Sequence, residues 1–273
     1  GKFLQKVPQN PKKEENRSVA NPSVFVQEPE YQKQNQGKNT LQTTRPLAKP
    51  RVSLRGETMS LIRKHFENRE SWLEGRQELG IGGSDAAAVC GLSPWTSPVE
   101  LWKIKTGQKK QKDISANAAV ERGVRMEPAL RELYAAMNPQ IRVEHYPYDI
   151  LAQSERPWLT ATLDGELTDE NGRHGILEIK TGQTMKKADY EKWADGNVPI
   201  YYLAQTQWQL LATGWDFVDL FAALQDIRGD WSIRTRRIER AECEEDLAWL
   251  LGKADTFWGY VQKRQMPPMT LSL

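Results

Sequence analysis

From residue 60 onward the chain alternates apolar stripes at helical spacing with short runs of strand character. Leu61, Phe66, Trp72 and Leu73 fall at helix-compatible intervals and predict a helix over about 60–78. GIGGSDAAAVCGL, 80–92, reads as a glycine turn, Ser84 as N-cap, and a small-residue helix that stops at Gly91. SPVELWKIKTG, 97–107, carries a full set of helix signals: Ser97 as cap, Pro98 in the first turn, Gly107 as stop. After the basic loop QKKQKD, a longer helical region runs to about Asn138-Pro139, kinked or restarted near Pro128. Residues 141–148, 158–168 and 175–181 read as strands, the last two joined by the turn signal Asp169-Glu170-Asn171-Gly172. A helix over 199–214, strands near 216–224 and 231–238, and a closing helix near 240–264 complete an α/β order.

Composition divides the chain. Residues 1–58 hold six Pro, seven Gln and five Asn and no Trp, whereas all ten Trp lie from Trp72 onward. A segment so poor in large apolar residues cannot bury enough surface to offset its ordering entropy, so 1–58 is expected to be a disordered tail. Residues 59–273 form the expected folded domain, and Met59 is a candidate internal start. The tail carries a net charge of +6 and the remainder −4, although the whole chain is only +2. The folded part is therefore not a general polyanion binder, and any nucleic-acid contact there needs local basic patches. Cys90 and Cys243 are the only cysteines, which excludes four-cysteine zinc and iron–sulfur sites and fits a reducing compartment. With no membrane-length apolar run and no secretory signal read, the expected location is the cytoplasm.

The informative chemistry lies in LDGELTDENGRHGILEIK, 163–180. Glu178 and Lys180 are two apart in a strand and project together, away from Leu177 and Ile179. If 158–168 and 175–181 pair as a hairpin, Asp164 comes close to Glu178. Two carboxylates at one place repel unless a cation lies between them. Hard divalent ions are held by such pairs together with water and phosphate, and a neighbouring Lys can orient an attacking water. The pattern suggests metal-assisted phosphodiester hydrolysis. Taken alone, the bare pattern is common by chance and reads first as a surface hairpin with weak ion pairs.

The setting of these residues resembles a known family. LDGEL…LEIKTG is similar to the PD-(D/E)xK nuclease core in its viral-recombinase branch, the lambda-type alkaline exonucleases and YqaJ-like proteins. WLEGRQELGIGGSDAAAVCGLSPWTSPVELWKIKTG, RGVRMEPALRELY and YYLAQTQWQLLATG match further segments of that family in its order, over about 72–215. Leu163 stands where the superfamily's eponymous proline would precede Asp164. The resemblance implies a restriction-endonuclease-like core with a central mixed sheet flanked by helices. It implies Mg²⁺, with Mn²⁺ as a substitute, held by Asp164, Glu178 and the Ile179 carbonyl, and Glu127 as a further acidic ligand. Lys180 would position the water, and Gln205 would line the site. Arg76 and Ser84 would hold the 5′-phosphate of a DNA end. The implied activity is 5′-to-3′ hydrolysis of double-stranded DNA ends, leaving 3′ single strands for phage-type recombination, by a homotrimer partnered with a single-strand annealing protein. An endonuclease or repair nuclease on the same core, and a noncatalytic DNA-binding protein, remain as alternatives.

Some readings need no family. Tyr202, Gln205 and Gln209 share one helix face, and a glycine turn that opens a helix can approach an anion. His65, His145 and His174 show no ligand spacing, and Ser84 lacks a His/Asp relay. One expectation is geometric. A two-residue Asn171-Gly172 turn would set Asp164 opposite Ile179, turned away from Glu178. A shared site therefore requires a three- or five-residue loop, a bulge near Gly172, or strands that splay near Asp164.

Overall fold

The structure is a computed structural model that describes residues 51–52 and 58–269. Most of the expected tail, residues 1–50 and 53–57, lies outside the described residues. The strands are β1 (Arg51–Val52), β2 (Thr58–Met59), β3 (Leu61–His65), β4 (Arg142–Glu144), β5 (Asp149–Gln153), β6 (Thr160–Ala161), β7 (Gly165–Thr168), β8 (His174–Thr184), β9 (Phe217–Asp226) and β10 (Trp231–Glu239). The helices are α1 (Arg69–Glu78), α2 (Ala86–Val89), α3 (Pro98–Lys105), α4 (Ala118–Met137), α5 (Lys187–Glu191), α6 (Ile200–Thr213) and α7 (Glu244–Gln262).

A five-stranded sheet in the order β10-β9-β8-β7-β4 is the frame; β8 and β9 run parallel and the other neighbours antiparallel. One face packs under α4, where Leu130 and Tyr134 meet Leu177, Ile179, Phe217 and Phe221. The other packs under α6, whose Ala204, Trp208 and Leu211 join Ile176 and Val218 with α2, α3 and α7. The fold is thus the expected mixed sheet between helices, of the restriction-endonuclease-like kind. A second sheet, in the order β3-β5-β6, lies beside α6.

The expected helix over 60–78 divides. Asn68 caps α1 by accepting from the Ser71 amide, while residues 61–65 pair antiparallel with β5. Pairing with β5 makes these residues a strand, and Arg63 adds ion pairs to Asp149 and Glu166. The partner strand β5 was itself unassigned from sequence, as was α5. The predicted strand over 158–168 is also broken. Thr160–Ala161 belongs to the three-stranded sheet and Gly165–Thr168 to the five-stranded one, so the chain changes sheets across 162–164. Ser84 is not a helix cap: it lies inside a 3-10 turn, Gly83–Asp85, whose N-cap is Gly82, and Asp85 stands at the N-cap of α2, its carboxylate accepting from the Gly82 amide at 3.2 Å. α4 runs through Pro128 as a single helix. α3, α6, β9 and β10 lie where the pattern puts them.

The hairpin between β7 and β8 settles the register. Thr168 pairs with His174 and Gly165 with Leu177. Asp169 N–H donates to the Arg173 carbonyl at 3.1 Å, closing a three-residue loop of Glu170, Asn171 and Gly172. Gly172 supplies the left-handed backbone such a loop needs, with φ +73°. The Asp169 carboxylate holds the loop by accepting from the amides of Asn171 and Arg173 at 3.0 and 2.9 Å.

Candidate active site

Extending that register by one residue sets Asp164 opposite Glu178, the arrangement a shared site requires. Asp164 sits where the chain leaves one sheet for the other, so β7 has not yet begun there. Its Oδ2 accepts the backbone amide of Ile179 at 2.7 Å and so continues the hydrogen bonding that β7 stops short of. Glu178 is buried on the α6 side of β8. Its Oε1 accepts from Gln205 Nε2 at 2.6 Å and from Lys180 Nζ, and its Oε2 accepts from Gln209 Nε2 at 2.6 Å. Lys180 Nζ also lies 5.0 Å from the ring centre of Tyr202. The three residues that share a face of α6 therefore all converge on Glu178 and Lys180.

The charges are unbalanced. Burial first, then the neighbouring Glu178 and Glu127, hold the Asp164 carboxyl well above the usual carboxylate range, against Lys180 and the Ile179 amide. Glu127 is raised for the same reasons, burial and then Glu178, with Arg131 and Lys180 opposing. Burial pulls Lys180 down, but Glu178 and Asp164 outweigh it and keep its ammonium above the ordinary lysine range. Glu127 is held by Arg131 at 2.5 Å, and the same Arg131 donates its Nε to the Asp164 carbonyl at 2.6 Å. His145 bonds to the Asp164 backbone as well. Arg131 and His145 were given no part from sequence. The i,i+4 spacing of Glu127 and Arg131 on one helix was the available signal for the first.

Arg76 and Ser84 are joined, Arg76 Nη2 donating to Ser84 Oγ at 3.1 Å, and Ser84 is exposed. The Arg76 guanidinium lies over the ring of Trp72, 4.8 Å from its centre. Burial lowers its pKa, while Asp85, Asp164 and Glu178 pull it up, so this corner shares the field of the carboxylates. The turn that carries Ser84 is pressed onto α6. A Cβ at Gly83 would come within 3.3 Å of Gln205 and 3.4 Å of Gln209, so a side chain there would crowd the two amides that hold Glu178. Asp85, one residue beyond Ser84, is anchored by the buried Lys105 at 2.9 Å. The helix after this turn has only four residues, so its dipole adds little; the guanidinium and hydroxyl carry any anion binding.

The profile of the YqaJ-like viral recombinase domain family matches residues 71–216. The chain belongs to this family. A YqaJ relative, an uncharacterized protein of Bacillus subtilis (strain 168), is 29% identical over 192 residues, which is 70% of this chain and 56% of that protein. The chain thus spans little more than half of that relative. Among solved structures, an alkaline exonuclease from Laribacter hongkongensis superposes with a TM-score of 0.52 at 19% identity, over 72% of this chain and 94% of that one. That likeness is one of fold. Every candidate residue, from Arg76 to Gln205, falls inside the YqaJ-like match.

In this YqaJ-like site the donor set suits a hard divalent cation. Asp164, Glu178 and the Ile179 carbonyl offer only oxygen, and the surplus of negative charge at Asp164 is what a bound cation relieves. Among the described residues no three acidic, His or Cys side chains cluster as a ready metal site, so water and phosphate would complete the shell. Glu127, paired with Arg131, contributes charge from the side. No described helix is long and apolar enough to cross a membrane.

Proposed function

We propose that the chain is a divalent-metal-dependent DNA exonuclease that hydrolyses double-stranded DNA from 5′ ends and leaves 3′ single strands for phage-type recombination. The observation that carries this reading is the one-residue register shift that faces Asp164 toward Glu178 beside Lys180. Asp164, Glu178 and the Ile179 carbonyl would hold Mg²⁺, or Mn²⁺ in its place, and the bound cation supplies charge stabilisation to the phosphate oxygens. Gln205 and Gln209 fix the Glu178 carboxylate so that its geometry does not depend on the substrate. Lys180, kept protonated by Glu178 and Asp164, is a donor to the attacking water or a phosphate oxygen. Arg76 and Ser84 take the terminal 5′-phosphate, a charge-assisted contact that would hold the enzyme at an end. By family membership alone, the reading extends to a homotrimer and to a single-strand annealing protein as partner.

The test is digestion of end-labelled linear duplex and of nicked circles, with and without Mg²⁺. Mg²⁺-dependent loss of the 5′ label with nicked circles untouched supports the reading. Cleavage of the circles would make the protein an endonuclease. Binding without cleavage in any divalent cation would make it a noncatalytic DNA-binding protein.

A further inference from the structure

Rows of the five-stranded sheet run sideways from the candidate active site. Glu178 pairs with Leu220 and Leu220 with Arg236; Lys180 pairs with Ala222 and Ala222 with Arg234. Directly paired residues share a face. Both arginines therefore stand on the face that carries Glu178 and Lys180, two strands away, which is about 10 Å at ordinary strand spacing. There they line a pocket with Trp193 and Asn197. Its wall is continuous with the active site, because Trp193 packs on Tyr202 at 5.7 Å and Tyr202 lies beneath Lys180.

The two arginines differ from their neighbour on the same strand. Arg237, on the opposite face, is bound by Asp219. Among the described residues, no carboxylate pairs with Arg234 or Arg236, and Arg234 reaches only the Ile233 carbonyl at 3.3 Å. Two guanidiniums without carboxylate partners among the described residues thus stand two apart on one strand face beside an aromatic wall. Guanidinium forks match phosphate oxygens in pairs.

We propose that this pocket is a second phosphate site, in which Arg234 and Arg236 hold a backbone phosphodiester of the strand whose scissile bond lies at Glu178 and Lys180. The identity of that strand rests on the nuclease reading; the anion site itself does not. A row of cations beside the cleft keeps the strand aligned with the catalytic residues after the end has entered.

The test is binding of a 5′-phosphorylated duplex with a 3′ single-stranded tail, followed by fluorescence anisotropy over a salt series in EDTA. Wild type is compared with Arg234→Gln/Arg236→Gln and with Arg234→Lys/Arg236→Lys, all checked for equal unfolding temperature. Losing two phosphate contacts flattens the slope of log K against log salt by roughly 1.4–1.8. The glutamine pair should show that loss and the lysine pair should keep the wild-type slope. A wild-type slope in the glutamine pair overturns the proposal. A changed oligomeric state on gel filtration with that unchanged slope would instead assign the pocket to contact between protein chains. Because EDTA removes hydrolysis, a wild type that binds but never cleaves in Mg²⁺ sinks the nuclease reading while the slopes still decide the pocket.

Discussion

Two buried carboxylates occupy neighbouring strands of one sheet and face opposite ways. Glu178 on β8 is 2% exposed and Asp219 on β9 is 3% exposed. Asp219 is fully answered: Arg237 donates to both of its oxygens at 2.7 and 2.6 Å, and the Tyr134 hydroxyl donates as well. The pairing is mutual. The Asp219 hydrogen bonds raise the Arg237 pKa, and burial and then Asp219 push the Tyr134 phenol up. Around it lie Phe217, Phe221 and Leu177. Glu178 also has three donors, but two are neutral amides and its nearest acidic neighbours are Asp164 and Glu127. The lesson is that burial of a carboxylate says little by itself. Charge balance separates a carboxylate that closes a core from one left among an excess of acidic neighbours.

The contrast can be broken by substitution. Asp164→Ala, Glu178→Ala and Lys180→Ala should each lower nuclease turnover by about 10³-fold or more while leaving the fold and DNA binding largely intact. Near-normal turnover in any one of them, assayed on end-labelled duplex, removes that residue from the mechanism. Asp219→Ala should do the reverse and cost about 3 kcal/mol of stability, because it strands Arg237 and Tyr134. Urea unfolding that leaves the midpoint unchanged would erase the distinction between the two carboxylates. Mg²⁺ at about a hundredfold excess over its Kd should stabilise wild type by about 2.7 kcal/mol and leave Asp164→Asn unmoved. Equal shifts of Tm in both proteins would place the cation elsewhere. Arg76→Ala should shrink the preference for 5′-phosphorylated over 5′-hydroxyl ends by about 1.5–3 kcal/mol, read from competition between the two substrates; an unchanged preference removes Arg76 from end recognition. The smallest effect is expected at Gln209. Its amide donates to Glu178 and to the Thr162 carbonyl, but its own buried Oε1 has no partner among the described residues. Gln209→Met removes that unpartnered oxygen but strands the buried Glu178 Oε2, so it should cost about 1–2 kcal/mol, and an unchanged urea midpoint would show that the Glu178 bond contributes nothing to stability.

Local signals carried much of this. Ser97, Pro98 and Gly107 delimit α3 through chemistry internal to that stretch. Glu178, Lys180 and the trio on α6 are legible because strand and helix periods alone decide which residues share a face. Elements whose partners are distant were misread. Residues 61–65 have helix-compatible apolar spacing, and only pairing with residues 149–153 makes them a strand. The break at 162–164 is set by which sheet each half joins, and the Asp164-Gly165 dipeptide, a common turn signal, is its one local mark. Arg237 and Asp219 pair across two strands, and Tyr134 reaches them from a helix 85 residues away from Asp219; no local pattern encodes such a triad. The loop over 170–172 is the intermediate case. Its sequence allows two registers, and only the one that closes a three-residue loop sets Asp164 opposite Glu178.

That loop imposes a rule of parity on the chain. Side chains alternate across a strand, so a change of one residue in the Glu170–Gly172 loop would turn Asp164 away from Glu178 wherever the strands slipped to keep a three-residue turn, and not where the loop itself or a bulge absorbed it. A change of two would restore the facing. Most exposed loop tips tolerate length variation freely, and Gly172 has open space around it. Here an inserted residue taken up as a one-residue slip would carry the buried Leu167 out of the core together with Asp164, costing stability as well as the proposed activity. The loop's constraint is thus one of register, counted in residues rather than in their identities.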